Sequence, residues 1–251
     1  MWNVVSVRAT QEPRAGQRDS LTACIFDVDG VLLASPHEQA WRDALIGFCE
    51  PARFTTEMYQ AEVAGKPRLA GARAALEALG VPDVDARASD YGERKQRRLL
   101  ELVAAGHVVA YPDALRFVQA VHALGWPMAV ASSSKNANGM MATIRLDPGA
   151  SLLDIFDANV CGRDLRQGKP NPEIFLLAAA GLHVTPEHCL VVEDAAAGVM
   201  AARAGHMGSL GVARHSDIAL LRAAEADLVV TSLDDVAIDD LSRGRLARRS
   251  A

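Results

Sequence analysis

Short apolar runs recur along the chain with helical patterns between them, and this alternation constrains the fold more than any other feature. The runs are TACIFDV (22–28), MAVAS (128–132), DANV (157–160), CLVVE (189–193), SLGVA (209–213) and DLVVT (227–231). Their apolar positions are consecutive rather than alternate, so strands formed from them bury both faces. A helix is predicted from Asp113 to Leu124, apolar at Leu115, Val118, Val121 and Leu124 and stopped by Gly125. A second opens at Asn171-Pro172, an N-cap followed by proline at the first helical position. A third runs from Ala195 to Ala204 and ends at Gly205. Strands and helices in this order predict an α/β protein with a parallel sheet covered on both faces.

The rhythm breaks once. From Ser35 to about Val109 there is no strand pattern, only helical ones. The clearest is RLAGARAALEALG (68–80), with Leu69, Ala72, Leu76 and Leu79 on one face. This predicts a small helical domain, residues 35–109, inserted into a core domain formed by residues 1–34 and 110–251. Val109 to Pro112 is the return linker, and residues 1–20, which lack periodicity, are expected to be a loose leader. Ser35-Pro36-His37-Glu38 reads as a capping box that starts the insertion. Two globular parts on two short linkers leave a cleft between them, a common place for a ligand.

Composition narrows the class. With 251 residues, half of them apolar, and a net charge of −5, the chain can build a large core and lacks the basic excess of a nucleic-acid surface. The basic stretch RGRLARR (243–249) reads as a solvated or frayed end. No run approaches the roughly eighteen apolar residues of a membrane span, and no secretory h-region is present. Cys24, Cys49, Cys161 and Cys189 show no CxxC spacing, so a reducing cytoplasm is the expected location. HVTPEHC (183–189) looks like a metal-ligand motif, but the helix start Thr185-Pro186 inside it favours a connecting loop over zinc.

In open parallel sheets ligands gather beyond the carboxyl ends of the strands. The first run delivers Asp27 and Asp29 there, and the second delivers Ser132, followed by Ser133, Ser134, Lys135 and Asn136. The loop before Asn171 carries Lys169, and CLVVE ends on Glu193 and then Asp194. Residues two apart in extended chain share a face, so both aspartates can point into one site. Four carboxylates at one sheet edge repel unless a cation sits among them, and an oxygen-only donor set suits Mg2+. Lys169 and Ser132 then hold an anion beside it, which is the equipment of phosphoryl transfer. Each piece has a plainer reading alone: DVDG as a turn, SSSK as a surface loop, Glu193-Asp194 as acids favoured at a helix N-terminus. Their joint position at strand ends argues for a site.

DVDGV (27–31), ASSS (131–134), GKPNPEIF (168–175) and VVEDAAAGVMAARAG (191–205) resemble the four ordered motifs of the haloacid dehalogenase superfamily. The helical insertion resembles the cap of its β-phosphoglucomutase-like subgroup. The resemblance implies a Rossmann-like core with a four-helix-type cap, Asp27 as nucleophile forming an aspartyl-phosphate, and Asp29 as general acid/base. It also implies Ser132 and Lys169 on the transferring phosphoryl group. Mg2+ would be bound by Asp27, the backbone carbonyl of Asp29, Glu193 and Asp194. Ser134, Lys135, Asn136 and Arg68 would meet a second phosphate, Ser133 would be a further substrate-binding residue, and His37, in the pattern His-X-X-Ala-Trp, would sit at the cap hinge. Ala64 stands where the subgroup often has a lysine, and Lys66 is the available substitute. The implied partner is a small phosphorylated metabolite, a sugar phosphate, acted on by a monomer. Three functions remain open: a sugar-phosphate mutase, a phosphatase, and a non-catalytic phosphate-binding module.

Overall fold

The computed structural model describes residues 20–147, 149–215 and 217–250, so the expected leader falls almost wholly outside them. In chain order the core begins with β1 (Ala23–Phe26) and β2 (Leu33–Ala34). The helical insertion follows, with α1 (His37–Asp43), α2 (Thr56–Met58), α3 (Arg68–Ala78) and α4 (Val84–Ala104). A single wide helical turn, Tyr59–Val63, extends α2. The core resumes with β3 (Val109–Ala110), α5 (Pro112–Ala123), β4 (Met128–Val130) and α6 (Ala137–Thr143). Next come β5 (Arg145–Asp147), β6 (Ala150–Ser151), β7 (Ala158–Asn159), α7 (Glu173–Leu182) and β8 (Cys189–Glu193). The chain ends with α8 (Ala196–Ala204), β9 (Gly208–Val212), α9 (Ile218–Ala223), β10 (Leu228–Val230) and α10 (Ile238–Leu241).

The main sheet has the order β10-β9-β8-β1-β4-β7, and every pairing in it is parallel. Both faces are buried, as consecutive apolar residues require: Cys24 and Phe26 pack into one cluster, Ala23 and Ile25 into another. β1 lies at the centre, where the chain first winds toward β4 and later returns to β8 on the other side. That reversal opens a crevice at the carboxyl ends of the three strands. The insertion has its own core around Trp41, Leu45, Phe54, Leu76 and Tyr91, with the Tyr91 hydroxyl donating to the Trp41 carbonyl at 2.9 Å. Its two linkers pair as an antiparallel ribbon, Leu33 with Ala110 and Ala34 with Val109.

Several local expectations are corrected. The capping box at Ser35 does not form: α1 has Pro36 as its N-cap without a side-chain bond, while Glu38 binds Arg42 and Thr56. Leu69, expected on the buried face of α3 with Ala72, Leu76 and Leu79, lies in the first turn of that helix and is 51% exposed. Between α6 and β7 the chain also forms the antiparallel hairpin β5–β6, where the sequence shows no strand pattern. The basic C-terminal stretch is not frayed: Val236 and Arg248 form a bridge, and the Ala237 amide donates to the Ala247 carbonyl at 2.9 Å. At α7 the Asn171 side chain accepts from the Glu173 amide at 3.0 Å, the bond expected of an N-cap.

Candidate active site

The neighbours of β1 position the chemistry. The ladder runs one residue beyond the strand: the Asp27 amide donates to the Val192 carbonyl at 3.0 Å, and the Ala131 amide to the Phe26 carbonyl at 2.9 Å. Asp27 and Glu193 therefore emerge side by side, with Ser132 one residue beyond the position level with Asp27 on β4. Lys169, 3% exposed, lies beneath them, its Nζ 2.5 Å from Asp27 Oδ1 and also bonded to Glu193 Oε1. Glu193 Oε2 accepts the amides of Asp194 and Ala195 at 3.1 and 3.2 Å. Gly30, at φ 83°, turns the chain against Asp194, where a Cβ would collide with Oδ2.

The carboxylates outnumber their counter-charge. Burial alone would lower the Lys169 pKa, but Asp27 and Glu193 outweigh it and raise it. Burial drives Glu193 up to about 7 despite Lys169. Burial also raises Asp27 against the same lysine, and lifts Asp194 well above the carboxylate range with help from Glu193 and Asp27. One ligand oxygen from each of Asp27, Glu193 and Asp194 lies within 4.8 Å of the others. Three convergent carboxylates sharing one lysine fit a divalent cation with oxygen ligands. The Asp29 carboxylate is outside this trio.

Asp29 faces the insertion instead. Ser35 Oγ donates to its Oδ1 at 2.7 Å, and Ser132 Oγ to Oδ2 at 3.4 Å. The Ser35 hydroxyl assigned to a helix cap thus belongs to the site. His37 Nε2 lies 3.3 Å from Asp29 Oδ1, without the alignment of a hydrogen bond. Behind it the buried Lys95 places Nζ 2.7 Å from His37 Nδ1 and 5.0 Å from the centre of the Trp41 ring. Burial, then Lys95, hold the His37 pKa well below its usual value. A neutral ring accepting from Lys95 at Nδ1 carries its proton on Nε2, toward Asp29. Burial raises the Asp29 pKa, opposed most by its bond from Ser35.

A cavity of about 280 Å3 spans core and insertion. Asp27, Asp29, Ser132 and Asp194 line it from the core, and His37, Lys66 and Arg68 from the insertion. Ser133, Ser134, Lys135 and Asn136 also line it, whereas Lys169 and Glu193 do not. Asn136 and Gln96 exchange amide hydrogen bonds at 3.1 and 3.4 Å across the two parts, and Ser133 Oγ donates to the Gly65 carbonyl at 3.4 Å. Lys135 points outward to Asp164 at 2.7 Å, and Arg68 is largely exposed. Lys95, Gln96 and Tyr59 also line the cavity and were missed from sequence. A signal for Lys95 existed: it shares the buried stripe of α4 with Ala88, Tyr91, Leu99 and Leu102, where a lysine needs a reason.

A family model described as haloacid dehalogenase-like hydrolase matches residues 21–206. The chain belongs to this family. Its haloacid dehalogenase-like core, with the Asp27, Glu193 and Asp194 cluster, is that of a hydrolase or phosphotransferase. Among curated relatives, a β-phosphoglucomutase of Mycobacterium bovis is 34% identical, over 88% of this chain and 93% of its own. A phosphorylated carbohydrates phosphatase of Thermotoga maritima is 31% identical, over 83% and 94%. A crystal structure of an archaeal β-phosphoglucomutase from Pyrococcus superposes with a TM-score of 0.69 at 32% identity, covering 87% of this chain and 96% of that one. Among the described residues no helix is long and apolar enough to cross a membrane, and the four cysteines are free thiols.

Proposed function

We propose that the chain is a Mg2+-dependent sugar-phosphate mutase of the β-phosphoglucomutase type, with residues 35–109 as its cap and the cytoplasm as its place. One observation carries the reading: a single cavity holds Asp27, Asp29 and Ser132 in one part of its wall and Lys66, Arg68, Ser134 and Asn136 in another. An enzyme that passes through a bisphosphate must grip a reacting and a non-reacting phosphate together. The planar fork of Arg68 suits the second, since it binds phosphate oxygens in pairs.

Asp27 attacks phosphorus, forming an aspartyl-phosphate as the bond to the leaving oxygen breaks. Asp29, its pKa raised, gives that oxygen a proton and later removes one from the accepting hydroxyl. Ser132 and Lys169 hold the phosphoryl oxygens, Ser35 fixes Asp29 by its hydrogen bond, and neutral His37, held by Lys95, presents Nε2 toward it. Mg2+ held by Asp27, the Asp29 carbonyl, Glu193 and Asp194 would neutralise phosphoryl charge. Hydrolysis is the second reading, favoured by the likeness to the Thermotoga phosphatase.

The test supplies glucose 1-phosphate in the β form, Mg2+ and a glucose bisphosphate primer, and follows both glucose 6-phosphate and free phosphate. Isomer formed faster than phosphate, and abolished in Asp27→Asn, supports the mutase. Phosphate released without isomer transfers the assignment to phosphatase, and no Mg2+-dependent turnover of either kind leaves the non-catalytic module.

A further inference from the structure

Arg214 follows β9 and does not line the cavity, yet it touches the chain segments that lead to and from the insertion. Its side chain is 8% exposed. Nε donates to the Gly30 carbonyl at 3.1 Å and Nη2 to the Val31 carbonyl at 3.0 Å. Nη1 reaches Asp113 Oδ2 at 2.7 Å, and the guanidinium lies 3.9 Å from the centre of the Tyr111 ring. The same Asp113 Oδ2 also accepts from the Leu233 amide at 2.8 Å and from Ser232 Oγ at 3.2 Å.

The two carbonyls belong to the residues directly after Asp29. The turn that carries them closes on itself through the amides of Gly30, Leu32 and Leu33, donated to the carbonyls of Leu33 and Val28. The Gly30 and Val31 carbonyls have no part in that closure, and Gly30 has no side chain with which to brace the turn. The fixed fork serves two successive carbonyls and the Asp113 carboxylate from three different nitrogens, whereas a lysine gathers its three donors on one nitrogen and cannot reproduce that spread. The same guanidinium stacks on Tyr111, whose amide donates to the Leu32 carbonyl at 3.0 Å, so the return linker is fixed to the same block.

We infer that Arg214 is a positioning residue for proton transfer by Asp29. By holding the peptide planes after Asp29, it keeps the carboxyl aimed at the leaving oxygen while Asp27 attacks phosphorus. In that step the phosphorus–oxygen bond breaks, its electron pair stays on the leaving oxygen, and the Asp29 proton moves there. This rests on the phosphoryl-transfer reading above. The alternative role is that of a buried ion pair which only stabilises the core.

Leaving groups separate the two roles. An alkoxide needs the Asp29 proton, a nitrophenolate hardly does, and kcat/KM reports the step in which either departs. The variant is Arg214→Lys, which keeps a charge for Asp113 but loses the fork. Ser232→Ala is the control, because it removes another donor to Asp113 without touching the turn. In Arg214→Lys, kcat/KM for glucose 6-phosphate should fall about tenfold and for p-nitrophenyl phosphate less than about threefold, positioned proton transfer being worth about 10²–10⁴ in rate. Ser232→Ala should show no such discrimination, and melting temperatures confirm that each variant is folded. Equal loss on both substrates, or none, overturns the inference alone. Wild-type protein inert toward both with Mg2+ overturns the phosphoryl-transfer reading and the inference with it.

Discussion

Replacing Lys95 with methionine should stabilise the protein while impairing its site. Lys95 is 4% exposed, and burial brings its pKa from 10.5 down to about 7, the attraction of Asp29 only partly offsetting that. At about 1.4 kcal/mol per pH unit, keeping the ammonium charged inside costs on the order of 5 kcal/mol. The sign follows from proton binding. Between about pH 7 and about pH 10.5 the unfolded chain holds a proton that the native state has released, so stability rises with pH across that window. Below it the penalty is present in full. Methionine fills a similar volume without the charge. Urea unfolding in metal-free buffer, from about pH 7 to about pH 9.5, should show the wild type gaining about 3 kcal/mol relative to Lys95→Met. The variant should be the more stable at the low end. Its turnover should fall, because His37 Nδ1 loses its donor. Parallel pH profiles for the two proteins would refute the reasoning.

Lys169→Met leaves Asp27 and Glu193 buried without their shared cation. It should cost about 3–5 kcal/mol in metal-free protein near neutral pH, by urea midpoint, and less under acid conditions, where Glu193 takes up a proton. A loss that grows on acidification contradicts this. Gly30→Ala forces a Cβ against Asp194 at a positive φ, so Mg2+ affinity measured by calorimetry should weaken by about 10–100-fold. Unchanged affinity would remove Asp194 from the metal set.

The parts of the fold that sequence made legible are those set by local pattern. The runs that became β1, β4 and β8 are apolar on consecutive positions, and that alone implies a sheet buried on both faces. A strand end carrying Asp27 and Asp29 is equally local. Long-range pairing is not. Asp113 reads as an ordinary first-turn acid, yet it binds Arg214 across 101 positions. Lys95 sits in ERKQRR, which looks like a solvated face until the buried stripe of α4 is traced through it. Ser35 fits a capping box perfectly well, and only the neighbouring Asp29 carboxylate decides otherwise. The β5–β6 hairpin has strands too short for alternation to register.

The anchored C-terminal stretch bears on how copies of this chain meet. β10 is the last strand on its side of the sheet, and such strands can template pairing with a second chain. Here Arg248 Nη2 donates to the Val229 carbonyl at 2.6 Å, and the Arg249 amide to the Asp235 carbonyl at 2.6 Å. A guanidinium across that carbonyl puts a positive charge where an incoming strand would need to lie flat. Arg248 thus occupies a carbonyl of the edge strand that an added strand would otherwise use.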